Sequence, residues 1–119
     1  MSQEDEDRLW AALGDPMRLR VVDLLLERGE ATASALAAAL PITRQGTAKH
    51  LGVLERSGLV TSRRTGREVR FAVRREGLDQ ARRRMAQVAA RWDERLVAIK
   101  RIAERRPHAI GVLLAHRSA

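Results

Sequence analysis

Apolar residues recur along this chain at two different periods, and the change of period divides it. Leu9, Trp10 and Leu13 share one side of an opening helix that ends near Gly14. Asp15-Pro16 then supplies an N-cap followed by proline at the first helical position, and Leu19, Val22, Leu25 and Leu26 carry a second helix to Gly29. Thr32 caps an alanine-rich third helix through about Leu40, with Leu36 and Leu40 inward. Leu40-Pro41-Ile42 breaks it, because proline disfavours helical backbone at the residue before it. Thr43 caps a fourth helix whose apolar face is the Thr47 methyl, Leu51 and Leu54, closed at Ser57-Gly58 by a left-handed glycine.

Beyond Gly58 the period falls to two. Residues 59–64 and 67–73 read as strands joined at Thr65-Gly66, with Val69, Phe71 and Val73 on one face and Glu68, Arg70 and Ala72 on the other. From about Gly77 to Arg106 the helical period returns. Leu78, Met85, Trp92 and Ile99 are spaced seven apart, beside a second row of Ala81, Val88 or Ala89, Leu96 and Ala103. Two such rows make a coiled-coil-like seam. Roughly thirty residues span about 45 Å, more than a domain this small requires for its own core. Leu78, Met85, Val88, Trp92, Leu96 and Ile99 are therefore read as a contact with a second copy of the chain. The expected fold is mainly α with a small β-hairpin, in the order α-α-α-α-β-β-α. It occupies residues 1–106 and is followed by an apolar C-terminal tail, 107–119.

Charge changes this picture, through its placement more than its size. The net charge is +8, yet residues 43–84 alone hold twelve basic side chains against four acidic ones, and the remainder balances. A neutral scaffold with one basic segment suits a polyanion, since phosphate contacts release condensed counterions. The rival is a solvated surface from composition bias, because only Lys49 and Lys100 among 23 basic residues are lysines. Cysteine is absent, which removes disulfides, thiolate chemistry and cysteine-ligated metal. The acidic start, Ser2 to Asp7, is unlike a targeting segment, and no apolar run is long enough to cross a bilayer. The chain is read as cytoplasmic, with no membrane partner.

The third and fourth helices read as a helix-turn-helix, a unit that puts its second helix in the DNA major groove. With Leu51 and Leu54 inward, that helix presents Arg44, Gln45, Ala48, Lys49 and, at one edge, His50. Arg44 can pair bidentately with guanine, Gln45 with adenine, and Ala48 can touch a thymine methyl. Lys49 suits phosphate, as do Thr43 and the helix N-terminus; Thr47 is counted with this set. Gly46, within the helix, either lets the DNA backbone approach closely or is a tolerated defect. Arg63, Arg64, Arg67 and Arg70 cluster around the Gly66 turn, where the hairpin tip can reach a neighbouring minor groove or its phosphates.

These motifs, Leu13-Gly14-Asp15-Pro16-Met17-Arg18-Leu19-Arg20, the run from Pro41 to Val60, and Arg64-Thr65-Gly66-Arg67-Glu68, resemble the ArsR/SmtB family of winged-helix repressors over about residues 8–105. The resemblance implies a winged helix-turn-helix homodimer on double-stranded DNA at a near-palindromic operator. It also implies a dimer interface of the first and last helices, which brings Leu9 and Trp10 into the interface set. Metal-sensing members carry cysteines near the third helix, or Asp, His and Glu ligands on the last. Here the last helix has Asp79, Asp93, Glu94 and Glu104 but no histidine, so the likeness is to a branch without a recognisable metal site. Family members often have serine near position 48, where this chain has Ala48, so no operator sequence carries over.

No cofactor or metal is expected, and a small-molecule effector is left open. His108 and His116 stand eight apart in the tail, a poor ligand spacing. The apolar run Ala109 to Ala115 is read as packing, with an effector pocket or a membrane-surface segment as alternatives. No nucleophile–base pairing or Gly-rich phosphate loop is visible, so catalysis is not expected. A module for protein contacts is the other alternative; mutating Arg44 and Gln45 would then leave binding intact.

Overall fold

Each of the first four helices starts where a side-chain oxygen satisfies free amides of its first turn. In the computed structural model, which describes residues 2–105, Ser2 caps α1 (Gln3–Leu13) and Asp15 caps α2 (Pro16–Arg28), accepting from the Met17 and Arg18 amides. Thr32 caps α3 (Ala33–Ala39) and Thr43 caps α4 (Arg44–Arg56). β2 (Val60–Thr65) and β3 (Glu68–Val73) form the hairpin, and α5 (Arg75–Arg105) follows. The tail from 107, with His108 and His116, lies outside the described residues.

A two-residue strand, β1 (Ala31–Thr32), stands opposite Phe71 and Arg70, so the sheet has three antiparallel strands in the order β1-β3-β2. Two residues are too few to show a period, and the sequence pattern does not reveal it. In the hairpin Thr65 faces Glu68, which moves the turn to Gly66-Arg67, one residue beyond the expected joint. Gly66 has φ +64°, at the first loop position where a type II′ turn takes glycine. Val69, expected inward, is exposed, because the hairpin outruns the body there; Phe71 and Val73 do pack on the core.

Residues up to Ala81 form one compact unit. Its core is Leu9, Ala12, Val21, Val22, Leu25, Leu36, Leu51, Leu54, Leu59 and Val60, with Ala31 and Ala81. α2 departs from the expected face: Val21 is fully buried, whereas Leu19 and Leu26 are 41% and 52% exposed. Its apolar residues cover more than half of its circumference, a band wider than the buried stripe, so only its neighbours decide which part is inside. α4 ends in a Schellman motif, with the Leu59 amide donating to the Leu54 carbonyl and the Gly58 amide to that of Glu55, Gly58 having φ +82°. The start of α5 lies so close to this turn that a Cβ on Gly77 would overlap the Gly58 carbonyl. From Arg82 onward α5 belongs to a second unit. There Met85, Trp92, Leu96 and Ile99 are all exposed, and the Arg95 guanidinium stands 5.5 Å from the centroid of the Trp92 ring.

Candidate nucleic-acid interface

α3, the 40–43 turn and α4 build a helix-turn-helix whose second helix is locked by one face. Leu51 and Leu54 are fully buried, and so is Thr47. The Thr47 hydroxyl donates to the Thr43 carbonyl at 2.9 Å. Thr47 therefore leaves the DNA-facing set: its methyl belongs to the buried face and its hydroxyl has a backbone acceptor. The Thr43 hydroxyl accepts the Gly46 amide at 2.9 Å, and a Cβ on Gly46 would stand 3.2 Å from that same oxygen. Gly46 thus makes room for the cap, a reason internal to the helix.

Arg44, Gln45, Ala48 and Lys49 are exposed on the first two turns. Among the described residues none of the Arg44, Gln45 or Lys49 side chains has a hydrogen bond or ion pair. Helical spacing continues this face through Gly52 to Arg56, exposed and folded back over Gly52, whose added Cβ would lie 3.3 Å from the guanidinium. Arg56 lies outside the expected set, and the spacing 45, 49, 52, 56 is the signal that finds it. His50 is half-buried, and its charge acts on the Asp15 carboxylate. Burial alone would raise the pKa of Asp15, but the Arg18 and Met17 amides and the charges of Arg18 and His50 hold it below its ordinary value.

The four hairpin arginines separate into two pairs. Arg63 donates Nε and Nη2 to the Glu30 carboxylate at 2.8 and 2.7 Å. That hydrogen-bonded pair lowers the Glu30 pKa and raises that of Arg63. Arg70, across the ladder from Arg63, holds Glu68 at 3.2 Å. Arg63 and Arg70, both expected at the DNA surface, are therefore already matched by carboxylates within the protein. Arg64 and Arg67 are exposed and have no such partner among the described residues. Ser62 donates to Glu55 of α4 at 3.1 Å, tying the hairpin root to the exposed helix.

The set expected at a subunit contact divides as well. Leu9 is 3% exposed and part of the core, so it offers nothing to a partner. Trp10 is half-buried, its indole donating to Glu6 at 3.2 Å, and Leu78 and Val88 are half-buried. Among the described residues no group of three or more His, Asp or Glu is placed to hold a metal ion. No helix among them is long and apolar enough to cross a membrane.

A helix-turn-helix with an exposed, unpaired polar face, followed by a basic hairpin, defines a winged-helix DNA-binding protein. A family model for a helix-turn-helix domain matches residues 13–63. The chain is 46% identical over 69 residues to the uncharacterized HTH-type transcriptional regulator YuzN of Bacillus subtilis, a match covering 53% of this chain and 75% of that one. It is similar to an ArsR-like transcriptional regulator from Rhodococcus sp. RHA1, with TM-score 0.67 and 40% identity over 84% of this chain and 93% of that one. It is also similar to a homodimeric winged helix-turn-helix DNA-binding domain from Mycobacterium bovis, with TM-score 0.58 and 28% identity over 76% and 81%. The chain belongs to the ArsR-like family of helix-turn-helix transcriptional regulators: it is a DNA-binding regulator and not an enzyme.

Proposed function

We propose that the protein is a repressor that binds a near-palindromic operator as a homodimer. The observation that carries this reading is the exposed face of α4. Arg44, Gln45, Ala48 and Lys49 stand free near the helix start, while Thr47, Leu51 and Leu54 anchor the opposite face. Anchoring matters because a side chain reads a base edge only if its helix is held against rotation. Arg44 and Gln45 carry guanine and adenine recognition, Ala48 meets a thymine methyl, and Lys49, Thr43 and Arg56 contact phosphates. Arg64 and Arg67 contact the backbone from the hairpin tip.

The second copy rests on α5. Met85, Trp92, Leu96 and Ile99 lie about half exposed on one stripe, and burying the rest of each stabilises an assembly by about 1 kcal/mol. The M. bovis relative is described as homodimeric, which supports the same arrangement here. Two copies present two α4 helices, and a two-fold assembly matches a two-fold operator. Repression follows the sign implied by the family resemblance.

Selection of bound duplexes from a random library, then footprinting of the selected sequence at two salt concentrations, tests the reading. The expected result is a protected inverted repeat whose half-sites are about one helical turn apart. Strong salt dependence without any protected repeat would reduce the protein to a nonspecific binder.

A further inference from the structure

Beyond the tie at Glu30, the hairpin leaves the body of the protein. Thr65, Gly66, Arg67, Glu68 and Val69 are all exposed, as is Arg64. A two-stranded ribbon on its own is marginal in water. Something must therefore hold Arg64 and Arg67 at a defined angle to α4 for both to meet one duplex.

Successive strand residues point to opposite faces, and β2 is held on both. Ser62 on one face donates to Glu55 in the last turn of α4. Arg63 on the other face grips Glu30, the residue just before β1, through two parallel charge-assisted hydrogen bonds, and Arg63 Nη1 also donates to the Thr65 hydroxyl at 3.0 Å. The pair is long-range, 33 residues apart in sequence, and bidentate, which fixes direction as well as distance. Arg63 also faces Arg70 directly across the ladder. Like charges in that position repel, so without Glu30 and Glu68 the hairpin would splay at that rung.

We infer that Glu30 is a positioning residue for DNA binding: through Arg63 it sets the hairpin angle that delivers Arg64 and Arg67 to the duplex. The inference rests on the DNA-binding reading above and adds a sign that charge alone does not give. Glu30 is acidic, and removing an acidic group from a DNA-binding protein ordinarily strengthens attraction to the polyanion. A brace predicts weakening instead.

The test uses the full chain and a mixed-sequence duplex of about three helical turns, with binding titrated across a range of salt and thermal melting recorded for each variant. Glu30→Ala and Arg63→Ala should each weaken binding by about fivefold to tenfold near 0.1 M salt, about the worth of one phosphate contact. Both should lower the salt slope alike, and the double variant should be no worse than either. The exchange Glu30→Arg with Arg63→Glu should restore affinity to within about twofold. Glu30→Gln keeps one neutral hydrogen bond and should fall between wild type and Glu30→Ala, so the comparison survives if the alanine variant folds poorly. Unchanged or tighter binding by Glu30→Ala, with wild type binding normally, overturns the brace alone. So does a loss in Arg63→Ala that Glu30→Ala does not share, because Arg63 would then touch phosphate itself. Absence of salt-dependent binding by wild type overturns the underlying DNA reading instead.

Discussion

Arg18 reaches back across the α1–α2 turn and donates to the carbonyls of Ala11 and Ala12 at 2.9 and 3.1 Å, while pairing with Asp15 at 3.8 Å. It thereby satisfies carbonyls at the C-terminal end of α1 that the helix itself leaves open. Asp15 does the same for amides of α2, so the two residues splice the helices together. The Asp15 carboxyl is held below its ordinary value, so its ionised form is bound more tightly in the folded chain. That contribution is present in full above the unfolded pKa, about 3.9, and is lost as pH falls through the lower folded value. Asp15→Asn keeps a capping oxygen but no charge. Urea unfolding of the variant at neutral pH and near pH 3 should therefore show a smaller acid-side loss than wild type. Equal losses in both would mean that the Asp15 charge is not coupled to folding.

Among the elements, α5 meets the rest of the first unit by backbone contact. Gly77 lies against the Gly58 carbonyl, and the Arg74 amide donates to the Leu59 carbonyl at 2.8 Å. A methyl group there has no room and must push the helix off the turn. Gly77→Ala should destabilise by about 1–3 kcal/mol, read as a lowered melting temperature; a melt matching wild type would show that the turn yields freely. On α4, burial separates two neighbours that a sequence reading groups together. Thr47→Val should leave DNA affinity within about twofold, since position 47 faces the core. Lys49→Ala should weaken binding on every sequence and reduce the salt slope by about one. Titrating both variants on one duplex decides it, and the assignment fails if Thr47→Val gives the larger loss.

At the scale of the whole molecule, the basic segment and the apolar seam occupy different parts of the chain. The recognition surface proposed above lies on α4 and the hairpin, and the apolar stripe on α5 from Met85 to Ile99. A charge placed in the stripe should therefore separate association from folding. Leu96→Glu is expected to sediment as a monomer, retain the melting of the first unit, and bind an inverted-repeat duplex at least tenfold more weakly, about 1.4 kcal/mol or more. A variant that stays dimeric would move the subunit contact elsewhere on the chain.

The sequence by itself determined where the helices and the two hairpin strands lie and where charge collects. N-caps at Asp15, Thr32 and Thr43, the stop at Gly58 and the switch from helical to alternating period are short-range signals, because backbone hydrogen bonding and side-chain direction repeat over a few residues. The exposed face of α4 was legible for the same reason over Arg44, Gln45, Ala48 and Lys49. Tertiary structure alone decided that Val21 is buried and Leu26 is not, that Leu9 is core, and that β1 exists. It also decided that Arg63 and Arg70 are matched by Glu30 and Glu68 while Arg64 and Arg67 are not. All four arginines look alike in a local window. What distinguishes Arg63 is a carboxylate 33 residues away, and contacts formed across such a distance are fixed by the path of the folded chain, which leaves no period in the sequence.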